Sequence, residues 1–284
     1  MPLDYTPQFI EDTPHHLSFD IEFEPTKFDG KKYVINGDTG DYLGIVGNDF
    51  PKETHKSFFD KVQEVMTEKL SPAELSNADI RWKTANNNAW AMMDIVLPKT
   101  TTRIGNDKHS TEVAQRVIAL RAVDGSCSNQ VFFGAIDFFC TNGMIRGDHD
   151  KIRRKNTSGF SVERFGNQLR RSSEEFAAQT HKLNQWANTS LLTVDVQSFL
   201  EKILRSERQA EKMYSLYNQE VDTRGRNLFA LYSAFTNYAT YADERNGFNM
   251  RRTGHDTGSI TMFRRESEVA NWIQTPAFKA LEAA

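Results

Sequence analysis

QVFFGAIDFFCTNGMIRGDHDKIRRKNTSGFSVERFGNQLRR, residues 130–171, changes its hydrophobic rhythm part-way along. Up to Phe139 the apolar residues run together, as in a buried strand. From about Val162 they recur every three and four residues, so that Phe165 and Leu169 share one helical face, and Phe176, Thr180 and Leu183 extend the same helix. Between these two patterns lies charge: Arg146 to Arg171 holds eight Arg/Lys against three Asp/Glu, a net of +5. A strand-rich half therefore gives way here to a helical one, across a basic junction.

Upstream of the junction the pattern is extended. In HHLSFDIEFEP, Leu17, Phe19, Ile21 and Phe23 alternate with polar residues, which predicts a half-buried strand. KKYVINGDTGDYLGIVGNDF then reads as a hairpin turning at Asn36 to Asp41, where Gly and Asn/Asp supply the turn conformations. Pro51 is expected to open a helix over about 52 to 70, carrying Phe58, Phe59, Val62, Val65 and Met66 on one face, with Ser71-Pro72 ending it. Three further strands are expected at Ala89 to Leu97, Val113 to Val123 and Gln130 to Phe139, the last two joined through Asp124-Gly125.

Downstream, one helix is expected to run through Val196, Phe199, Leu200, Ile203, Leu204, Met213, Tyr214 and Tyr217, and another through Leu228, Leu231, Phe235 and Tyr238. Tyr232, Phe235, Tyr238 and Tyr241 follow the same spacing and are read as a buried helix face, not a stacking ladder. Strands first and helices later, without βαβ alternation, predict an α+β fold and not a doubly wound nucleotide-binding sheet. The expected organisation is a strand-rich 1–145 and a helical 146–284 within one globular unit.

With 284 residues, 38% of them hydrophobic and twenty of them Phe, the chain can bury a substantial core. No apolar run approaches a membrane span, and MPLDYTPQFIED lacks the basic-then-apolar order of a signal peptide. With only Cys127 and Cys140, both read as reduced thiols, the expected setting is the cytoplasm. The net charge of −3 conceals polarity: residues 1 to 60 carry twelve Asp/Glu against five Lys/Arg. That acidic end either keeps the molecule soluble or meets the basic middle of a neighbouring copy.

No phosphate-cradling glycine loop occurs, and the seven histidines show no zinc spacing, so no cofactor is expected. Asp148-His149-Asp150 gathers carboxylates and an imidazole, which admits a metal-dependent nuclease, but adjacent turn residues rarely converge on one ion and a solvated turn is the stronger reading. The basic junction offers more. Arg146, Lys151, Arg153, Arg154 and Lys155 precede Phe160, and Arg164, Arg170 and Arg171 follow on the helix, with Arg164 and Arg171 on one face. Basic groups interleaved with aromatics are how single strands are held without sequence readout. Arg251, Arg252, Arg264 and Arg265 repeat the theme in what is read as a Gly-rich loop. The plainer reading is a solvated face paired with the acidic N-terminal half.

Three blocks carry a family resemblance: Leu43, Gly44, Val46, Gly47 and Phe50; Asp124, Gly125 and Ser126; Cys140, Thr141 and Asn142. Together they resemble a phage- and plasmid-encoded family known as domain of unknown function 932, and Ala234 with Asn237-Tyr238 matches a later helix of that family. Asn156-Thr157 departs from the His-Thr pair the family usually shows there. The resemblance implies a mobile-element origin and no agreed activity. The order of elements is also similar to phage single-strand annealing proteins of the RecT and Red-beta kind. The resulting expectation is a non-enzymatic, oligomeric protein that binds single-stranded DNA or RNA and acts in recombination or replication. The alternative is an interaction protein that inhibits a host defence or nucleic-acid-processing factor through its acidic N-terminal half.

Overall fold

The computed structural model describes residues 12–106, 108–127, 129–137, 143–145, 151–154, 162–174, 176–242 and 259–283. After a turn of 3-10 helix at His15–Leu17, β1 (Ile21–Pro25), β2 (Lys31–Asn36) and β3 (Tyr42–Gly47) form a three-stranded antiparallel sheet. The strand predicted from Leu17 thus starts later, at Ile21. Leu17 is buried all the same.

Helix α1 spans His55–Lys69. Its N-cap is Thr54, whose hydroxyl accepts from the Ser57 amide at 3.1 Å, so the capping side chain and not Pro51 sets the start. Ser71 caps the short α2 (Pro72–Leu75) through a capping box with Glu74. Next come β4 (Asp79–Ala85), β5 (Trp90–Gly105), β6 (Ser110–Ala122), β7 (Asn129–Asp137), β8 (Gly143–Ile145) and β9 (Lys151–Arg154). Their order is β4-β5-β6-β7-β8, with β9 also pairing β7. Asn86, Asn87 and Asn88 turn β4 into β5 with φ of 52°, 52° and 63°, a left-handed run that Asn tolerates better than other non-glycine residues.

The helices that follow are α3 (Val162–Glu174), α4 (Phe176–Asn188), α5 (Val196–Leu204), α6 (Glu207–Arg224), α7 (Leu228–Tyr241), α8 (Ser259–Trp272) and α9 (Pro276–Glu282). The fold is α+β, with a helical C-terminal half. Two predicted helices are each divided: Phe165 and Leu169 fall on α3 but Phe176, Thr180 and Leu183 on α4, and Arg205, with φ 52°, ends α5 before Ser206 caps α6. Apolar spacing alone runs through this second break because Ile203 and Tyr214, eleven residues apart, remain roughly in phase.

The chain forms two compact units, each built from segments distant in sequence. One comprises residues 1–100, 116–133 and 149–173, the other 101–115, 134–148 and 174–284. In the first, Phe58, Phe59, Val62 and Met66 of α1 and Phe165 and Leu169 of α3 share a core with Met93, Ile95, Val117, Val131 and Phe133 of the large sheet. A second, smaller core joins Phe19, Ile21, Val34, Leu43, Val46 and Phe50 to Ala89 and Val123. In the other unit α7 is nearly all buried, and Phe278 of α9 lies 5.2 Å from Trp186, 6.4 Å from Phe199 and 6.2 Å from Phe235. Of the aromatic series read as a buried face, Tyr232 and Phe235 are buried and Tyr238 and Tyr241 half-buried.

Candidate functional site

The basic junction is part strand and part helix. Lys151, Arg153 and Arg154 belong to β9, where Arg153 pairs with Gln130 and Arg154 with Asn129 of β7. The sequence assigned this part of the junction no element; pairing with β7 makes it a strand. On α3 the helical angle of 100° per residue puts Phe165, Leu169 and Ser172 on one arc, and all three are buried. Arg164, Asn167, Arg170, Arg171 and Glu174 occupy the opposite arc, and all are exposed. Phe165 stacks on Phe133 at 6.2 Å. At Gly166 an added Cβ would lie 2.9 Å from Lys69 Cε, which shows how closely α3 approaches α1. Two anchored apolar residues thus hold three arginines outward on one rigid helix, inside the unit that also holds β9.

Arg146, Lys155, Phe160, Arg251 and Arg252 lie outside the described residues, as do Asp148-His149-Asp150 and Cys140. Of the later pair, Arg264 is exposed on α8, whereas Arg265 is buried. It donates to the Ala242 carbonyl and sits 5.3 Å from the Tyr238 ring centroid. Arg265 is therefore a structural cation and not a second contact for a ligand strand, because its hydrogen-bonding head is turned into the protein.

Beneath the junction lies a network that spacing did not reveal. Arg121 on β6 is completely buried. Its guanidinium donates to the Glu53 carboxylate at 2.7 Å, to Asn129 Oδ1 at 2.8 Å and to the Glu53 carbonyl, and lies 5.9 Å from the Phe58 ring centroid. Burial alone would raise the Glu53 pKa; the charges and hydrogen bonds of Arg121 and Lys61, with a bond from Asn129, outweigh it and hold the carboxyl below its ordinary value. His55 shares a 2.8 Å hydrogen bond with the Asn88 carbonyl through Nε2. Burial first, and then the Arg121 charge, push this imidazole down to about 3, so it stays neutral near pH 7. Asn129, a member of the network, is also the residue paired with Arg154.

A second buried pair, Arg116 to Asp94 at 2.6 and 2.8 Å, is forked across β6 and β5. In the other unit Arg224 donates to Glu220 at 2.8 Å, and Glu220 accepts from Asn237 at 3.1 Å. Buried charges paired in this way tie together the elements that carry them.

The blocks that suggested a family also meet. An added Cβ at Gly44 would fall 2.7 Å from Asp124 Cβ, and one at Gly125, where φ is +75°, 3.0 Å from Val46. The two glycines let β3 and the β6–β7 turn close on each other, and Asp124 Oδ1 secures the turn by accepting from the Ser126 amide at 2.9 Å. A family model matches residues 43–266, from this first block to α8. The chain belongs to the DUF932 family, described as a domain of unknown function. No curated protein and no solved structure matches it. What the DUF932 blocks do here is structural where they are described: Leu43, Val46 and Phe50 fill the small core, Ala234 is buried, and Asn237 braces Glu220. Among the described residues no helix is long and apolar enough to cross a membrane.

Proposed function

We propose that this DUF932 protein binds single-stranded nucleic acid, DNA first, through its basic junction, and serves a phage or other mobile element as an annealing accessory in recombination or replication. The observation that carries this reading is the exposed arc of α3. Arg164, Arg170 and Arg171 all lie outward on it, and the helix beneath is fixed by Phe165 and Leu169. Guanidinium groups held on a rigid element lose less freedom on meeting phosphates than groups on a loose loop do. β9 adds Lys151, Arg153 and Arg154 in the same compact unit. The annealing role is taken from the likeness in element order expected from the sequence, which says nothing about the chemistry.

The test is anisotropy of a fluorescent oligonucleotide at about 50 mM salt, followed by a salt titration. Binding should fall steeply with salt. Replacing Arg164, Arg170 and Arg171 by Ala should lower the slope of log affinity against log salt by about 2, at about 0.7 per lost phosphate contact on a single strand. Unchanged affinity in that triple variant, or no binding by the parent chain, refutes the proposal.

A further inference from the structure

The outer face of the three-stranded sheet groups exposed apolar and acidic side chains. Pairing register puts Glu24, Tyr33 and Ile45 in one row and Glu22, Ile35 and Tyr42 in the next. The other face of the same strands, Ile21, Val34, Leu43 and Val46, is buried in the small core. Tyr42 is 54% exposed and Ile45 36%, and the Tyr33 and Tyr42 rings meet edge to face at 5.7 Å. Among the described residues only four large hydrophobic side chains are exposed. Two are on this face, and a third, Phe28, is in the turn joining β1 to β2. Apolar groups scattered singly need no explanation, but grouped on one sheet face they mark a surface that meets something.

Charge selects what it meets. Glu22 and Glu24 are exposed at one end of the two rows, and Asp38 and Asp41 are exposed in the turn before Tyr42, against Lys31 at the start of β2. Carboxylates beside open tyrosine rings repel phosphate and suit guanidinium, which lies on an aromatic face and pairs with carboxylate through its planar fork. The chain itself displays such groups on the exposed arc of α3. Arg170 on α3 and Glu22, Glu24 and Tyr42 on the sheet are all exposed, so a second copy can reach either surface.

We propose that a second copy of this chain docks its α3 arc, through Arg170 and Arg171, onto the tyrosine and glutamate face of β1 to β3. The contact is heterologous, patch to different patch, so a pair of copies keeps one further surface of each kind, one on each copy. The inference stands apart from the nucleic-acid reading but shares its arginines, so an oligonucleotide and a second copy compete for α3.

Sedimentation velocity of the full chain over a range of concentrations tests it. The parent chain should self-associate at low salt and dissociate as salt rises. Glu22→Lys with Glu24→Lys, and separately Arg170→Glu with Arg171→Glu, should each weaken association at least about tenfold, since like charges then face each other. Mixing the two variants should restore it, because each supplies the sign the other has lost. A parent chain that stays monomeric, a variant that associates as the parent does, or a mixture no tighter than its parts overturns the proposal. The sheet variant keeps every α3 arginine. If it binds oligonucleotide as the parent does while failing to self-associate, both readings stand; oligonucleotide binding absent throughout while the mixture re-forms sinks the nucleic-acid reading alone.

Discussion

Arg121 and Arg170 belong to the same compact unit and carry the same charge, yet they are put to opposite uses. Arg121 has no exposed surface and directs its donors at Glu53 and Asn129; Arg170 stands in solvent on α3. The difference lies in what surrounds each side chain on its element. In QRVIALRAV every neighbour of Arg121 on β6 is buried, so the guanidinium has to find a carboxylate inside the protein. On α3 the apolar residues occupy only one arc, and the helix can present arginines on the other. A buried arginine fixes the fold, and an exposed one on a fixed helix can meet a partner.

Arg121→Met breaks or sharpens the contrast most. It leaves the Glu53 carboxylate without its main counter-charge, and a loss of about 3–5 kcal/mol is expected in urea unfolding. Arg170→Met should change stability by no more than about 0.5 kcal/mol. Equal costs would end the distinction.

The neighbourhood of Arg121 should also show in acid. His55 titrates near 3 when folded against 6.5 in the unfolded chain, so below about pH 6.5 the unfolded state binds the extra proton and stability is lost as pH falls toward 3. The expected loss is up to about 1.4 kcal/mol per pH unit in that window. Urea midpoints at pH 7 and pH 5 measure it, and His55→Phe, which keeps an aromatic ring against Phe59, should flatten the dependence. An undiminished slope would assign the titration to another group.

Gly44→Ala probes the closure of β3 on the β6–β7 turn, where the new methyl would sit 2.7 Å from Asp124 Cβ. A cost of about 1–3 kcal/mol is expected from thermal or urea unfolding, as for overpacked sites. The smallest stability effect belongs to the α3 arginines. Arg164→Ala, Arg170→Ala and Arg171→Ala should each leave stability within about 0.5 kcal/mol while weakening oligonucleotide binding. A large loss of stability would move these residues to the Arg121 side of the comparison.

How far the sequence reveals this depends on the range of each interaction. The β6–β7 hairpin, the apolar first half of β5, α1, α7 and the buried arc of α3 were legible because periodicity is a local signal, present within a dozen residues, whereas β4 was missed. The break between α5 and α6 was not legible either, since one left-handed residue at Arg205 leaves no mark on hydrophobic spacing. The strand at Lys151–Arg154 was missed because KIRR lacks apolar alternation and owes its conformation to pairing with Asn129 to Phe132. Arg116 and Arg121 are buried within an apolar strand, where a charge requires an acidic partner. Nothing local says that those partners are Asp94 and Glu53, 22 and 68 residues away. The exposed arginines were found by charge alone, and Arg265 shows why charge alone is insufficient: the same dipeptide, Arg264-Arg265, has one member in solvent and one in the core.

The segmented make-up of the first unit has a consequence for synthesis. Phe58, Phe59 and Met66 pack in a core that is complete only when Phe165 and Leu169 arrive. At about 5–20 residues per second, the roughly 100 residues between them take about 5–20 s to emerge from a ribosome. During that interval the nascent chain holds a greasy helix without its cover, and it is then that a chaperone, or a fatal encounter with another unfinished copy, has its opportunity.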